Sequence, residues 1–118
     1  MARTLAQMVA AARFEAREIF PAEAAPAHNH FEISLIVDVR EPQEYAQGHL
    51  PDAVNIPRGL LETRADPASP SAEAALSSDL SARVLLYCAK APGARSLLAA
   101  RTLASMGYTC VEVLRAEP

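Results

Sequence analysis

Four short aliphatic runs, rich in β-branched residues, set the frame for this chain: "ISLIVDV" (33–39), "DAVNI" (52–56), "RVLLY" (83–87) and "CVEVL" (110–114). Each is too short for a buried helix and too continuous for a half-exposed strand, so each reads as a strand covered on both faces. Helix-forming segments separate them. Pro42 opens "PQEYAQ" and Gly48 closes it; "RGLLETR" makes a short helix; "SLLAARTLASM" (96–106) is helical and stops at Gly107. The stretch from Ala65 to Ala82 is rich in Ala, Ser and Pro and reads as a loop, with one helical turn around Glu73 to Leu76. Strands alternating with helices predict an α/β fold, a small parallel β-sheet with helices on both faces.

The first thirty residues read differently. Leu5, Met8, Val9 and Ala12 lie on one side of an amphipathic helix, and "AEAAPAHNH" reads as a polar connection after it. Charges at Arg13, Glu15, Arg17 and Glu18 interrupt the apolar stretch too early for a signal peptide, and no run approaches a membrane span. The 118 residues suffice for one domain with a real core, and a net charge of −3 gives no support for nucleic-acid binding. Two cysteines, Cys88 and Cys110, are too few for a disulfide framework, which points to free thiols in a reducing, cytoplasmic compartment. His28 and His30 are too isolated to suggest a metal site.

In parallel sheets, ligands bind beyond the carboxyl ends of the strands. Asp38 and Cys88 both follow such ends and so meet at one edge. Cys88 precedes a loop and then a helix, where free backbone N–H groups and the helix dipole favour a thiolate and hold an anion. The candidate cradle comprises Lys90, Gly93, Ala94 and Arg95, with Arg58 at its rim: Gly93 turns the loop inward and the basic residues supply donors. The pattern alone divides evenly between a reactive thiol and a small buried side chain; Cys110, with no such loop, reads as structural. Asp38, Arg40 and His49 read as support for the site, with His49 a turn residue rather than a base.

The segment "LIVDVREPQEYAQGHLPDAVNIPRGLLE" resembles the front half of a rhodanese-like sulfurtransferase domain, through Asp38, Arg40, Glu44, Tyr45, Gly48, His49, Leu50, Pro51, Ala53, Asn55, Ile56 and Pro57. "LLYCAKAPGARSLLAARTLASMGY" resembles the active-site segment of that family, its cysteine after a strand and its Arg-Ser pair opening a helix. The resemblance implies residues 1–30 as an N-terminal helical extension and 31–118 as the rhodanese-like domain. It implies a Cys88 persulfide, formed from thiosulfate or a persulfide donor and passed to a thiol or a protein cysteine, with no metal and no organic cofactor. Two departures stand out. Six residues separate Cys88 from Arg95, longer than the family's usual spacing, with "AP" reading as the addition. The sequence also lacks the family's usual segment after the last strand, so Val111, Val113 and Leu114 need a cover: the N-terminal helix, or a second copy in a homodimer. The rival readings are a cysteine phosphatase or arsenate reductase, and a catalytically inactive rhodanese-like binding module.

Overall fold

The computed structural model describes residues 2–89 and 93–115. The aliphatic runs become strands of one parallel sheet: β2 (Leu35–Asp38), β3 (Val54–Asn55), β4 (Val84–Tyr87) and β5 (Val111–Leu114). A further strand, β1 (Arg17–Ile19), adds to the edge of β5, and the order across the sheet is β1-β5-β4-β2-β3. β4 is wholly buried and lies between β5 and β2, because its residues are apolar on both faces.

Alternation along the strands sorts the core into two layers. Val37, Val84, Leu86 and Val113 face α1 (Leu5–Glu15), α4 (Leu61–Ala65), α5 (Ala74–Ser77) and α6 (Ala94–Ser105). Ile36, Leu85 and Tyr87 face α2 (Pro21–Asn29) and α3 (Pro42–Ala46). Helices therefore cover both faces, as the alternating pattern predicts. A 3₁₀ turn, Arg58–Leu60, leads into α4.

The N-terminal thirty residues correct the sequence reading. The segment expected as a polar connection, 22–30, falls in α2 and its C-cap, β1 precedes it, and Ile19, Ala24 and Ala27 join the same core layer as Ile33 and Ile36. Alanine makes this physically sensible, since Ala24 and Ala27 let the helix sit close to the sheet. α1 forms with Thr4 and Gln7 in a reciprocal capping box. Its apolar face is narrower than expected: Ala12 is buried and Val9 packs beside it, whereas Leu5 and Met8 are exposed. The cover for β5 is thus shared. β1 occupies its open edge, and Ala12 meets the layer containing Val113.

One charged cluster fastens that edge. Glu112, 2% exposed, accepts from Arg83 (Nε–Oε1 2.6 Å) and pairs with Arg17 of β1 (Nε–Oε2 2.9 Å). Among the described residues, no helix is long and apolar enough to cross a membrane.

Candidate functional site

β4 ends at Tyr87, and Cys88 follows with its side chain on the α6 side of the sheet, half-buried against the core. Its Sγ lies 3.2 Å from Ser96 Oγ and 3.4 Å from the Ala89 carbonyl oxygen, both within reach of the thiol proton. Ser96 is fully enclosed in the first turn of α6, and its hydroxyl donates to the Gly93 carbonyl at 3.0 Å. Gly93 starts that helix from the left-handed region (φ 69°, ψ 33°), where a side chain is strained, and a Cβ there would stand 3.4 Å from Ser96 Oγ. Glycine thus lets the chain turn from loop to helix while keeping its carbonyl on the serine. Ala94 is the first helical residue.

The relay from Cys88 to Ser96 to Gly93 suits a neutral thiol. A hydroxyl proton rotates freely, so the same Ser96 can turn and donate to a thiolate. Ser96 is a candidate site residue that reading for charge and nucleophiles overlooks; its signal was the Arg-Ser pair opening α6.

Arg95 does not stand alone at the loop. Its Nη1 and Nη2 donate to Glu44 Oε1 and Oε2 at 2.7 and 3.1 Å, a two-pronged ion pair between α6 and α3. Glu44 also accepts from the Glu41 backbone N–H at 2.9 Å, completing the cap of α3. The Arg95 guanidinium, helped by that N–H, holds the Glu44 carboxyl down at about 2.

The supporting residues form a knot beside β2. Arg40 donates from Nε and Nη2 to the buried Asp38 carboxylate (3.0 and 2.7 Å) and from Nη2 to the Gly48 carbonyl (2.7 Å). Burial pushes the Asp38 carboxyl up, but these hydrogen bonds more than offset it and leave it below its usual range. Asn55 Nδ2 donates to the Asp38 and Arg40 carbonyls at 3.0 and 2.9 Å, which joins β3 to the same turn. Tyr87, beneath Arg40, accepts from the Leu50 N–H at 3.0 Å, and burial pushes its phenol up to about 12. His49 stacks on Tyr45 with ring centroids 3.7 Å apart, and its Nδ1 lies 3.0 Å from the Tyr45 carbonyl oxygen.

The structure thus gathers Cys88, Gly93, Ala94 and Arg95 at one sheet edge, with the Asp38–Arg40 pair and His49 in the adjoining turns. Arg58 is placed elsewhere. Its guanidinium donates to Glu62 Oε1 (3.0 Å) and to Thr102 Oγ1 (2.8 Å), two turns along α6 from the loop. A sequence shows that an arginine is present but not which acceptors its flexible stem will find. Lys90, and with it the "AP" addition, lies outside the described residues. Cys110 is a free, half-buried thiol whose carbonyl accepts from Val84 N–H.

Comparison with known proteins bears on the family and the fold. The model of the family described as "Rhodanese-like domain" matches residues 21–116. A sulfurtransferase of Allochromatium vinosum is 38% identical over 81 residues, 69% of this chain and 64% of that protein. A solved structure from Rhodopseudomonas palustris, described as a protein of unknown function and "possible tyrosine phosphatase", superposes with a TM-score of 0.86 at 32% identity, over 98% of this chain and 86% of that one. The human single-domain sulfurtransferase TSTD1 superposes with a TM-score of 0.71 at 28% identity, over 84% of this chain and 88% of that one. The chain spans less than two thirds of the length of the curated relatives it matches.

Proposed function

The chain belongs to the rhodanese-like domain family, and from that premise we propose that it is a sulfurtransferase working through a persulfide on Cys88. The observation that carries this reading is the placement of Cys88 Sγ at the end of the central strand, 3.2 Å from the rotatable hydroxyl of Ser96 at the start of α6. Cys88 thiolate attacks the outer sulfur of a donor. With thiosulfate, the sulfur–sulfur bond breaks, sulfite leaves with the bonding pair, and the outer sulfur stays on Cys88 as a persulfide. A thiol, or the cysteine of a partner protein, then attacks that sulfur and restores the Cys88 thiolate. The N-terminal end of α6, where helical N–H groups lack intrahelical partners, suits the developing negative charge. The free thiols suit a reducing compartment such as the cytoplasm.

A second reading, a cysteine phosphatase, draws on the Rhodopseudomonas palustris protein's description and on the lengthened loop. Against it, Tyr87 stands immediately before the cysteine and is engaged with the Leu50 N–H and the Asp38 carboxylate, which leaves it no role as a proton donor to a leaving group.

Mass spectrometry of the intact protein after incubation with thiosulfate tests the proposal. We expect added mass of one sulfur atom, removed by dithiothreitol, and turnover to cyanide that Cys88→Ser abolishes and Cys110→Ser leaves within about twofold, since a hydroxyl is a far poorer nucleophile at neutral pH. An unmodified Cys88 together with hydrolysis of an aryl phosphate would favour the phosphatase instead.

A further inference from the structure

The loop arginine is the group that would ordinarily balance a doubly charged substrate, and here it already has a carboxylate. Arg95 spends two of its N–H donors on both oxygens of Glu44. Glu44 is held in place by the cap it makes on the Glu41 N–H, so the pair is braced from two helices. Among the described residues a second nearby cation, Arg40, is likewise matched, by the buried Asp38 carboxylate. Glu41 lies close enough to Arg95 to add a further negative charge to its surroundings. Among the described residues, then, each guanidinium at this edge is neutralised by its own carboxylate, and Glu41 remains over. Among the described residues, a dianion entering here would have to displace Glu44 or be bound by backbone dipoles alone, whereas a donor of low charge meets less opposition.

We propose that Glu44 is a specificity-determining residue which, by engaging Nη1 and Nη2 of Arg95, selects sulfur donors of low charge, persulfides carried on a thiol, over the dianion thiosulfate. This rests on the sulfurtransferase reading and deepens it. The step balances without any oxidant. Cys88 thiolate attacks the outer sulfur of R–S–SH; the sulfur–sulfur bond breaks; R–S⁻ departs with the bonding pair; the product is Cys88–S–SH. Glu44 does not touch the reacting sulfur and acts through Arg95 as a positioning residue.

The test compares the full chain with Glu44→Gln, which keeps an oxygen for the Glu41 N–H but removes the charge. Two probes read the field at Cys88 without requiring sulfur transfer: neutral iodoacetamide and anionic iodoacetate. In Glu44→Gln we expect the iodoacetate-to-iodoacetamide rate ratio to rise roughly tenfold, the size expected of one nearby unit charge at a protein surface. Lys90 is the same in both proteins, so the change in ratio reads Glu44. In parallel, single-turnover loading of Cys88 should favour the persulfide of 2-mercaptoethanol over thiosulfate in the native chain and shift toward thiosulfate in Glu44→Gln. An unchanged alkylation ratio, or equal slowing of both donors, overturns the inference and leaves Glu44 as a fastening only. A native chain that prefers thiosulfate also overturns it. A shifted ratio with no loading from either donor supports the charge assignment and instead sinks the sulfurtransferase reading. Should Glu44→Gln fail to fold, the salt dependence of iodoacetate alkylation in Lys90→Gln decides: a rate that falls steeply as salt is added means an unneutralised Arg95 and refutes the inference, while a flat or rising rate sustains it.

Discussion

A buried serine beside a cysteine can serve either protonation state of the sulfur, because its proton has no fixed direction. Ser96 is placed for both, accepting from the Cys88 thiol and donating to Gly93, and able to turn once the thiol ionises. We expect Ser96→Ala to lower the rate of Cys88 alkylation at neutral pH roughly tenfold, the worth of one hydrogen bond to a charged group, and to move the pH profile of that rate to higher pH. An unmoved profile would reduce Ser96 to a brace for the Gly93 turn. Cys88 and Gly93 were legible in the sequence, since a strand end, a loop and a helix start have composition cues of their own. The partner of Arg95 was not. Glu44 lies 51 residues away, and only the packing of α3 against the start of α6 brings the two together. Arg58 shows the converse, a cation whose destination no local pattern records.

At the level of elements, β2 to β5 were legible because each is a run of aliphatic residues with a turn signal behind it. β1 was not: of its three residues only Ile19 is buried, and Arg17 and Glu18 give it the look of a charged connection. α2 was hidden by Pro26, a residue that breaks most helices and here sits inside one. What makes the β1 edge hold is a contact between strands, the Glu112 carboxylate shared by Arg17 and Arg83. Removing that charge while keeping the shape leaves the two arginines one amide oxygen in place of a carboxylate, and puts an amide N–H₂ where Glu112 had a second acceptor. We expect Glu112→Gln to cost about 2 kcal/mol, seen as a fall in melting temperature of roughly 5–10 °C. Cys88 lies three residues beyond the level of Glu112, about 10 Å along the strands, so its alkylation rate at 25 °C should be unaltered. A variant that melts with the native protein would show that the cluster is merely solvated.

For the molecule as a whole, acid is the revealing variable. Asp38 is held below its usual range in the fold by Arg40, and Glu44 is held down at about 2 by Arg95. Both stay charged in the fold at a pH where the unfolded chain has begun to bind protons. Their contribution is therefore complete above the ordinary carboxylate range and is lost as pH falls through the folded-state values. Thermal melts should give a level melting temperature from neutral pH down to roughly pH 4.5 and a steady fall from there toward pH 2. Asp38→Asn should lower the plateau and soften that fall, while an unchanged acid slope would remove Asp38 from the account. The strand order has a further consequence. β4 is bonded along both edges, to β5 and to β2, so its amides reach solvent deuterium only when the whole sheet parts. Cys88 is the next residue after that doubly bonded stretch. Its sulfur is accordingly carried at the end of a strand held along both edges, and under the proposed function a sulfur donor or acceptor would have to bring its own freedom of movement to the encounter.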